Sequence, residues 1–166
     1  MGNSERSQKV IQQAIKLSPR DPNLWLAWQV LARAQIALGE GDEALINLQR
    51  AAAANPDESF FRAFMATAHG RMGRGKEARD AIAEFLRLNP NLMNGRSETA
   101  KTLLCAQLEL SARGHYIGTI DGIAGPFLQR ALTAFQRDQS IAETGELDET
   151  TAAKLNFGEG AKGVPS

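Results

Sequence analysis

The chain has 166 residues, of which 43% are hydrophobic and 23% charged, and its 19 Lys and Arg residues balance its 19 Asp and Glu residues. This length and apolar content allow one good core or two small ones. A net charge of +3 in residues 1–96 against −3 in residues 97–166 is too weak to indicate nucleic-acid binding, and no apolar run approaches the ~20 residues of a membrane span.

Two features bear on the compartment of the protein. Residues 4–16 are polar and lack the ~7–15-residue apolar region of a secretory signal. The single cysteine, Cys105, excludes an internal disulfide within the chain. Because it lies among leucines, we expect an inert core thiol rather than a reactive one.

A 34-residue period runs through the first half of the chain. Proline recurs at Pro22, Pro56 and Pro90, and Gly39 and Gly73 keep the same spacing. Apolar residues at i, i+3 and i+4 predict a helix on each side of each glycine. The pattern resembles the tetratricopeptide repeat, whose unit is a helix–turn–helix.

The boundaries of the repeats follow from this period. Two full repeats are predicted at about 22–56 and 57–90, and residues 4–19 resemble the second helix of an earlier repeat. The repeat array as a whole is predicted to occupy residues 1–94. Since an array normally has ~3 or more repeats, we expect the chain to be the C-terminal piece of a longer protein.

The resemblance implies a protein-binding groove lined by the first helix of each repeat. Such a groove suits an extended peptide or a helix, and Phe60 and Arg33 are the natural anchors because aromatic and Arg side chains dominate binding hot spots. Because the chain has only two and a half repeats, the alternative is that the groove packs against the chain's own C-terminal half. The predicted groove-facing side chains are Leu26, Gln29, Arg33, Ile36, Phe60, Ala63, Thr67 and Arg71.

The second half of the chain predicts three further helices. Ser97 can cap the first of them, which Gly114 ends. Pro126 suits the first turn of the second helix, and Asp148 caps a short third one. Residues 97–158 are therefore predicted to form a three-helix bundle, close to the lower size limit for independent folding.

The glycine-rich stretch 114–126 and the helix after it resemble the peptidoglycan-binding domain of bacterial cell-wall enzymes. With the repeats, this resemblance implies an all-α protein made of tetratricopeptide hairpins, a C-terminal three-helix bundle and a flexible tail at 159–166. The sequence departs from the family pattern at Ala106 and Ala124. The residues that match in order and spacing are Gln107, Leu110, Gly114, Tyr116, Gly118, Ile120, Asp121, Gly122, Gly125, Pro126, Ala131, Phe135, Gln136, Thr144, Gly145, Leu147 and Asp148.

The resemblance also implies a ligand, a glycan–peptide polymer bound on a shallow surface with an aromatic face. Phe127 lies off the apolar stripe of its helix, and Arg130 and Arg137 suit bidentate pairing with the carboxylates of peptide stems. The alternative is a buried Phe127 with solvent-facing arginines. The candidate ligand-binding residues are Tyr116, Asp121, Phe127, Arg130 and Arg137.

The sequence shows no arrangement of residues that is typical of a catalytic site. A hydrolase needs a nucleophile with a base, paired carboxylates or a metal cluster. The two histidines, His69 and His115, fall in different halves of the chain and have no carboxylate partner at metal-ligand spacing. The sequence therefore predicts a protein that is not an enzyme and has no metal or cofactor.

These patterns favour an adaptor with a repeat groove for a protein or peptide partner and a C-terminal domain for the bacterial cell wall. The alternative is a cytoplasmic interaction or regulatory protein in which the bundle caps the repeat array, or a C-terminal fragment of a larger enzyme. We expect the cell envelope or periplasm as its location if the chain belongs to a longer exported protein, and the cytoplasm otherwise.

Overall fold

The computed structural model describes residues 2–156 and is all helical, without a strand in that range. The predicted all-α fold is thereby confirmed, while the tail predicted at 159–166 lies outside the described residues. The helices are α1 (Gly2–Leu17), α2 (Leu24–Leu38), α3 (Gly41–Ala54), α4 (Phe60–Arg71), α5 (Gly75–Leu88), α6 (Glu98–Ala112), α7 (Pro126–Asp138) and α8 (Glu149–Leu155).

Helices α2 to α5 form two successive hairpins, and α1 packs on α2 ahead of them. The two hairpin turns contain Gly39 and Gly73, whose φ angles of +86° and +72° lie in the left-handed region that glycine tolerates best. Local sequence therefore explains both turns. The boundaries of the repeats and their assignment to the tetratricopeptide family stay predictions.

Small residues let the hairpin helices approach closely. Ala32 of α2, Ala44 and Ala51 of α3 and Ala68 of α4 are fully buried, in the same cluster as Phe61. Interiors are packed as densely as organic crystals, so alanine at these positions brings the helix backbones together without leaving voids. The first core thus lies between α2, α3 and α4.

A second core joins the bundle to the repeats. Its centre is formed by buried residues of the bundle that include Leu104, Ile120 and Phe135. Ala63 of α4 and Phe85 of α5 belong to the same cluster. Because one apolar core contains side chains from both halves of the chain, the bundle is docked on the second hairpin.

The docking brings two backbones into direct contact at Gly70 and Gly114. A Cβ atom added to Gly70 would lie 2.5 Å from the carbonyl oxygen of Ala112 and from the nitrogen of Gly114. One placed on Gly114, whose φ is +81°, would overlap the backbone nitrogen of Arg71. Only glycine fits at this crossing.

The connection between α5 and α6 is held in place by hydrogen bonds of Arg96 and by apolar packing. Arg96 donates from Nε to the carbonyl oxygen of Leu92 at 2.7 Å and from Nη1 to the carbonyl oxygen of Asp121 at 2.5 Å. Leu92 and Met93 also pack against the second core. The connection therefore holds the bundle against the repeats rather than separating them.

The predicted helix caps of the bundle are confirmed. The Ser97 side chain accepts a hydrogen bond from the nitrogen of Ala100 at 3.2 Å, and the Asp148 side chain accepts one from Thr151 at 2.7 Å. Pro126 begins α7, where its missing N–H costs no hydrogen bond. These three positions fix where the bundle helices begin.

Candidate ligand-binding surface

A single amide side chain organises the glycine-rich loop between α6 and α7. Oε1 of the fully buried Gln107 accepts hydrogen bonds from the nitrogens of Asp121 and Gly122, at 3.0 and 2.9 Å. Its Nε2 donates to the Asp121 carboxylate at 3.0 Å and to the carbonyl oxygen of Ile123 and the hydroxyl of Tyr116, both at 3.2 Å. The loop therefore presents a fixed shape at the start of α7.

Two of the predicted ligand-binding residues hold this loop through hydrogen bonds. Tyr116 is 4% exposed, and its hydroxyl donates to the carbonyl oxygen of Thr119 at 2.6 Å. Burial raises the pKa of Tyr116 to about 12, so it stays protonated at neutral pH. The Asp121 carboxylate accepts a hydrogen bond from the nitrogen of Ile123 at 2.9 Å. Both side chains are occupied by contacts that hold the loop.

Phe127 is exposed, so the alternative of a buried ring does not hold. Its side chain is 44% exposed at the beginning of α7. The guanidinium carbon of Arg130 lies 4.8 Å from its ring centroid, and that of Arg33, on α2, lies 5.7 Å from the same centroid. We call these three residues the Phe127 platform. It unites a candidate of the repeat groove with two candidates of the bundle.

Arg137 is separate from the platform. It lies near the other end of α7 from Phe127, ten residues along the helix and so about 15 Å away. Its guanidinium group forms a bidentate ion pair with Glu143, at 3.1 and 2.6 Å. This pairing uses two of the guanidinium nitrogens that were predicted to bind a ligand carboxylate.

The bundle covers part of the predicted repeat groove. Ala63 and Thr67 are buried rather than groove-facing, and the Thr67 hydroxyl donates to the carbonyl oxygen of Tyr116 at 2.7 Å. Ile36 is also buried, inside the first core, because it lies on the inner side of α2. These three positions are corrections to the predicted groove.

Other groove positions remain accessible, chiefly on α2. Phe60 is partly buried and stacks at 5.7 Å on Phe85, so it anchors the fold, whereas Arg71 is exposed beside the junction with the bundle. Leu26 is 45% exposed, and Val30, which was not predicted, is 47% exposed one turn later. The i, i+4 spacing of these two apolar side chains is the signal that would have identified Val30.

Gln29 and Arg33 continue this accessible face of α2 toward the Phe127 platform. Both are partly buried, and Arg33 contacts the Phe64 ring at 5.2 Å as well as that of Phe127. The open part of the groove is therefore one helix face that leads to the bundle. Its composition is apolar at one end and cationic at the other.

An apolar cavity lies on another side of the first turn of α7. It has a volume of about 460 Å³ and is lined mainly by residues of α7 and of the loops before α7 and α8, including Leu128 and Leu147, with Leu103 of α6. Ala124, a position where the sequence departs from the pattern of the resembled family, is one of its lining residues.

A more polar cavity of about 440 Å³ lies at the junction of the two halves. It is lined by Arg71, Arg113, His115 and Asp138, together with the crossing glycines. Nε2 of His115 is 3.6 Å from the carboxylate of Asp138, and its ring meets Phe135 edge to face at 5.7 Å. The pKa of His115 is lowered, mainly by burial and further by the two arginines, although Asp138 opposes the shift.

We expect the protein to lose stability as the pH falls from about 7.5 to about 5.5. The pKa values of both His69 and His115 are lowered by burial, so the unfolded chain binds protons in this range that the folded chain does not. Urea unfolding at the two pH values measures the change. The double variant His69→Gln and His115→Gln should show a flatter dependence, and an equal slope in both proteins would contradict the assignment.

The described residues, 2–156, hold no group of three or more His, Cys, Asp or Glu side chains placed to bind a metal ion. None of the helices in this range is long and apolar enough to cross a membrane. Cys105 is half-buried, and burial raises the pKa of its thiol, which makes it a weak nucleophile at neutral pH.

Comparison with known proteins supports the resemblance of the bundle to a peptidoglycan-binding domain. Residues 104–155 match the family described as putative peptidoglycan binding domain. The chain is similar to localization factor PodJL in two strains of Caulobacter vibrioides, with 43% identity over 51 residues, which are 31% of this chain and 5% of that protein. It is also similar to superkiller protein 3 of Schizosaccharomyces pombe, with 28% identity over 124 residues, which are 73% of this chain and 9% of that protein.

The chain therefore spans only a small fraction of the curated relatives it matches. No solved structure matches it. The family match covers the loop organised by Gln107 and the two bundle residues of the Phe127 platform, Phe127 and Arg130, whereas Arg33 lies outside it.

Proposed function

We propose that the chain is a non-enzymatic binding protein whose C-terminal bundle binds peptidoglycan. The observation that supports this most is the match of residues 104–155 to a family described as a putative peptidoglycan binding domain. Within that range, Phe127 and Arg130 are exposed and adjacent. An aromatic face suits the apolar side of a sugar ring or a peptide methyl group, and a guanidinium group suits a carboxylate.

The repeats supply a second binding surface for a protein or peptide. Its support is the accessible face of α2, with Leu26 and Val30 exposed and Arg33 at its end. The similarity to a protein named as a localization factor favours a role in positioning other molecules. We propose residues 1–94 as the repeat unit and 97–158 as the wall-binding unit of this adaptor. In an exported longer protein, that assignment corresponds to the cell envelope.

Pelleting with insoluble peptidoglycan tests the wall-binding half of the proposal. The purified chain should be recovered with the polymer after centrifugation. Replacing Phe127 and Arg130 together, Phe127→Ala with Arg130→Gln, should weaken binding at least about tenfold, since each contact contributes on the order of 1 kcal/mol or more. The matched control is Arg137→Gln, which should bind normally because Arg137 is already paired with Glu143. A wild-type chain that stays in the supernatant would refute this function.

A second candidate function is a cytoplasmic interaction or regulatory protein in which the bundle caps the repeats. The apolar core shared by the two halves and the close crossing of Gly70 and Gly114 favour it. In this case the accessible face of α2 would be the functional surface, within a longer protein or larger enzyme. A chain that does not pellet with peptidoglycan but retains a protein partner would favour this candidate.

A further inference from the structure

Arg33 belongs to the repeats, yet its charge lies at the candidate surface of the bundle. Its guanidinium carbon is 5.2 Å from the ring centroid of Phe64 and 5.7 Å from that of Phe127. Burial lowers the pKa of Arg33, but the guanidinium group stays protonated at neutral pH. A permanent, partly desolvated cation is therefore held between the two halves.

The charge at this position lacks an anionic partner within the described residues. Among the side chains that the structure describes, which are Arg6 and residues 8–156, neither Arg33 nor Arg130 has a carboxylate oxygen within 4.0 Å. Arg137, on the same helix as Arg130, does form such a pair. Two cations beside one ring repel each other, and partial burial of Arg33 makes its charge more costly. A bound anion would relieve both effects.

We infer that Arg33, Phe127 and Arg130 form one composite site that binds a carboxylate of the peptide stems of peptidoglycan. The inference rests on the proposed function and adds to it a residue from outside the matched range 104–155. In this site the two guanidinium groups donate hydrogen bonds to the carboxylate, and the Phe127 ring contacts the apolar part of the stem. Binding then requires the repeats to be docked on the bundle.

The stem carboxylate is favoured because two of the three platform residues lie in the matched range. Ile123, on the loop that leads into α7, is a further exposed apolar residue of the matched range, at 64% exposure. Guanidinium–carboxylate pairs are roughly twice as strong as neutral hydrogen bonds, and a partly buried site strengthens them further. An acidic segment of a protein is the competing occupant.

Pelleting with native and with amidated peptidoglycan tests the site. In the amidated polymer the stem carboxylates are converted to neutral primary amides. We expect Arg33→Gln and Arg130→Gln each to bind native peptidoglycan about tenfold more weakly than the wild type. The wild type should lose a similar factor on the amidated polymer, whereas Arg33→Gln should lose much less. Arg50→Gln, at an exposed position of α3, is the matched control and should behave as the wild type.

Two further measurements separate the possible outcomes. Thermal unfolding of each variant checks that it is folded, and Arg33→Lys, which keeps the charge but not the bidentate geometry, should bind with intermediate affinity. Equal binding of Arg33→Gln and wild type to the native polymer would overturn the composite site and leave the proposed function intact. A wild type that does not pellet overturns both. Arg33-dependent binding of a labelled hexaglutamate peptide, without binding to peptidoglycan, would instead assign the site to an acidic protein segment.

Discussion

Gly70→Ala is expected to lower the free energy of unfolding by about 2 kcal/mol, as overpacking of a tight contact typically does. In an open helix the same change stabilises by roughly 0.5–1 kcal/mol, because alanine loses less backbone entropy than glycine. Here the new methyl group would lie 2.5 Å from backbone atoms of Ala112 and Gly114. The backbone of α6 can yield only by moving away from α4. The sign of the effect therefore reports whether the bundle is docked.

Gly114→Ala should lower the free energy of unfolding by about 3–4 kcal/mol in total, which is more than Gly70→Ala, because left-handed strain adds to the overlap with Arg71. The matched control is Gly73→Ala. Gly73 has a similar φ of +72° but no atom within 4 Å of the added Cβ, so only the strain of about 1 kcal/mol remains. Urea unfolding followed by tryptophan fluorescence and circular dichroism measures all three. A stabilising Gly70→Ala, or equal costs for Gly114→Ala and Gly73→Ala, would contradict the docking.

Docking of the bundle covers part of the predicted groove. The hydrogen bond from Thr67 to Tyr116 and the burial of Ala63 place the bundle over the second hairpin, so the open part of the predicted groove lies chiefly on α2. That face ends at Arg33, beside the ring of Phe127. The two proposed binding surfaces are therefore neighbours. A variant that loosens the Gly70 contact should weaken the binding of any ligand that contacts both surfaces.

The parts of this fold that local sequence determines could be predicted. Helix starts at Ser97 and Asp148 depend on side chains within three residues of their hydrogen-bond partners. The turn at Gly73 depends on a backbone conformation that few other residues adopt. The apolar periodicity of the helices likewise needs no distant information. Each of these features is visible within about one helical turn.

The parts that distant contacts determine could be predicted only in outline, since the sequence allowed the groove to pack against the C-terminal half but did not show which residues would be covered. The repeat register placed Ala63 and Thr67 on the groove face, but the chain that covers them comes from the loop after α6. The backbone bond that Asp121 accepts from Ile123 is local and typical of an aspartate in a turn, whereas the bond that it accepts from Gln107, on α6, is the distant contact. The contact of Arg33 with Phe127 joins two helices far apart in sequence. No spacing rule within either half reveals it.

Gln107→Met is expected to lower the free energy of unfolding by about 3 kcal/mol or more. Methionine has a similar shape but cannot replace the amide, so the nitrogens of Asp121 and Gly122 lose their acceptor. A buried donor left without a partner costs about 1–3 kcal/mol each. The loop that fixes the start of α7 should then become mobile, which displaces Phe127 and weakens peptidoglycan binding. Urea unfolding and the pelleting assay measure the two effects.

Gln136→Met is the matched control, because Gln136 has the same role in the other loop of the bundle. Its Oε1 accepts from Gly145 at 2.8 Å, and its Nε2 donates to the hydroxyls of Thr144 and Thr151 at 2.9 and 2.8 Å. We expect a comparable loss of stability but unchanged pelleting well below the unfolding temperature, since this loop does not support Phe127. If both variants lost binding equally, the defect would follow from stability alone. The Gln107 loop would then have no specific part in placing the Phe127 platform.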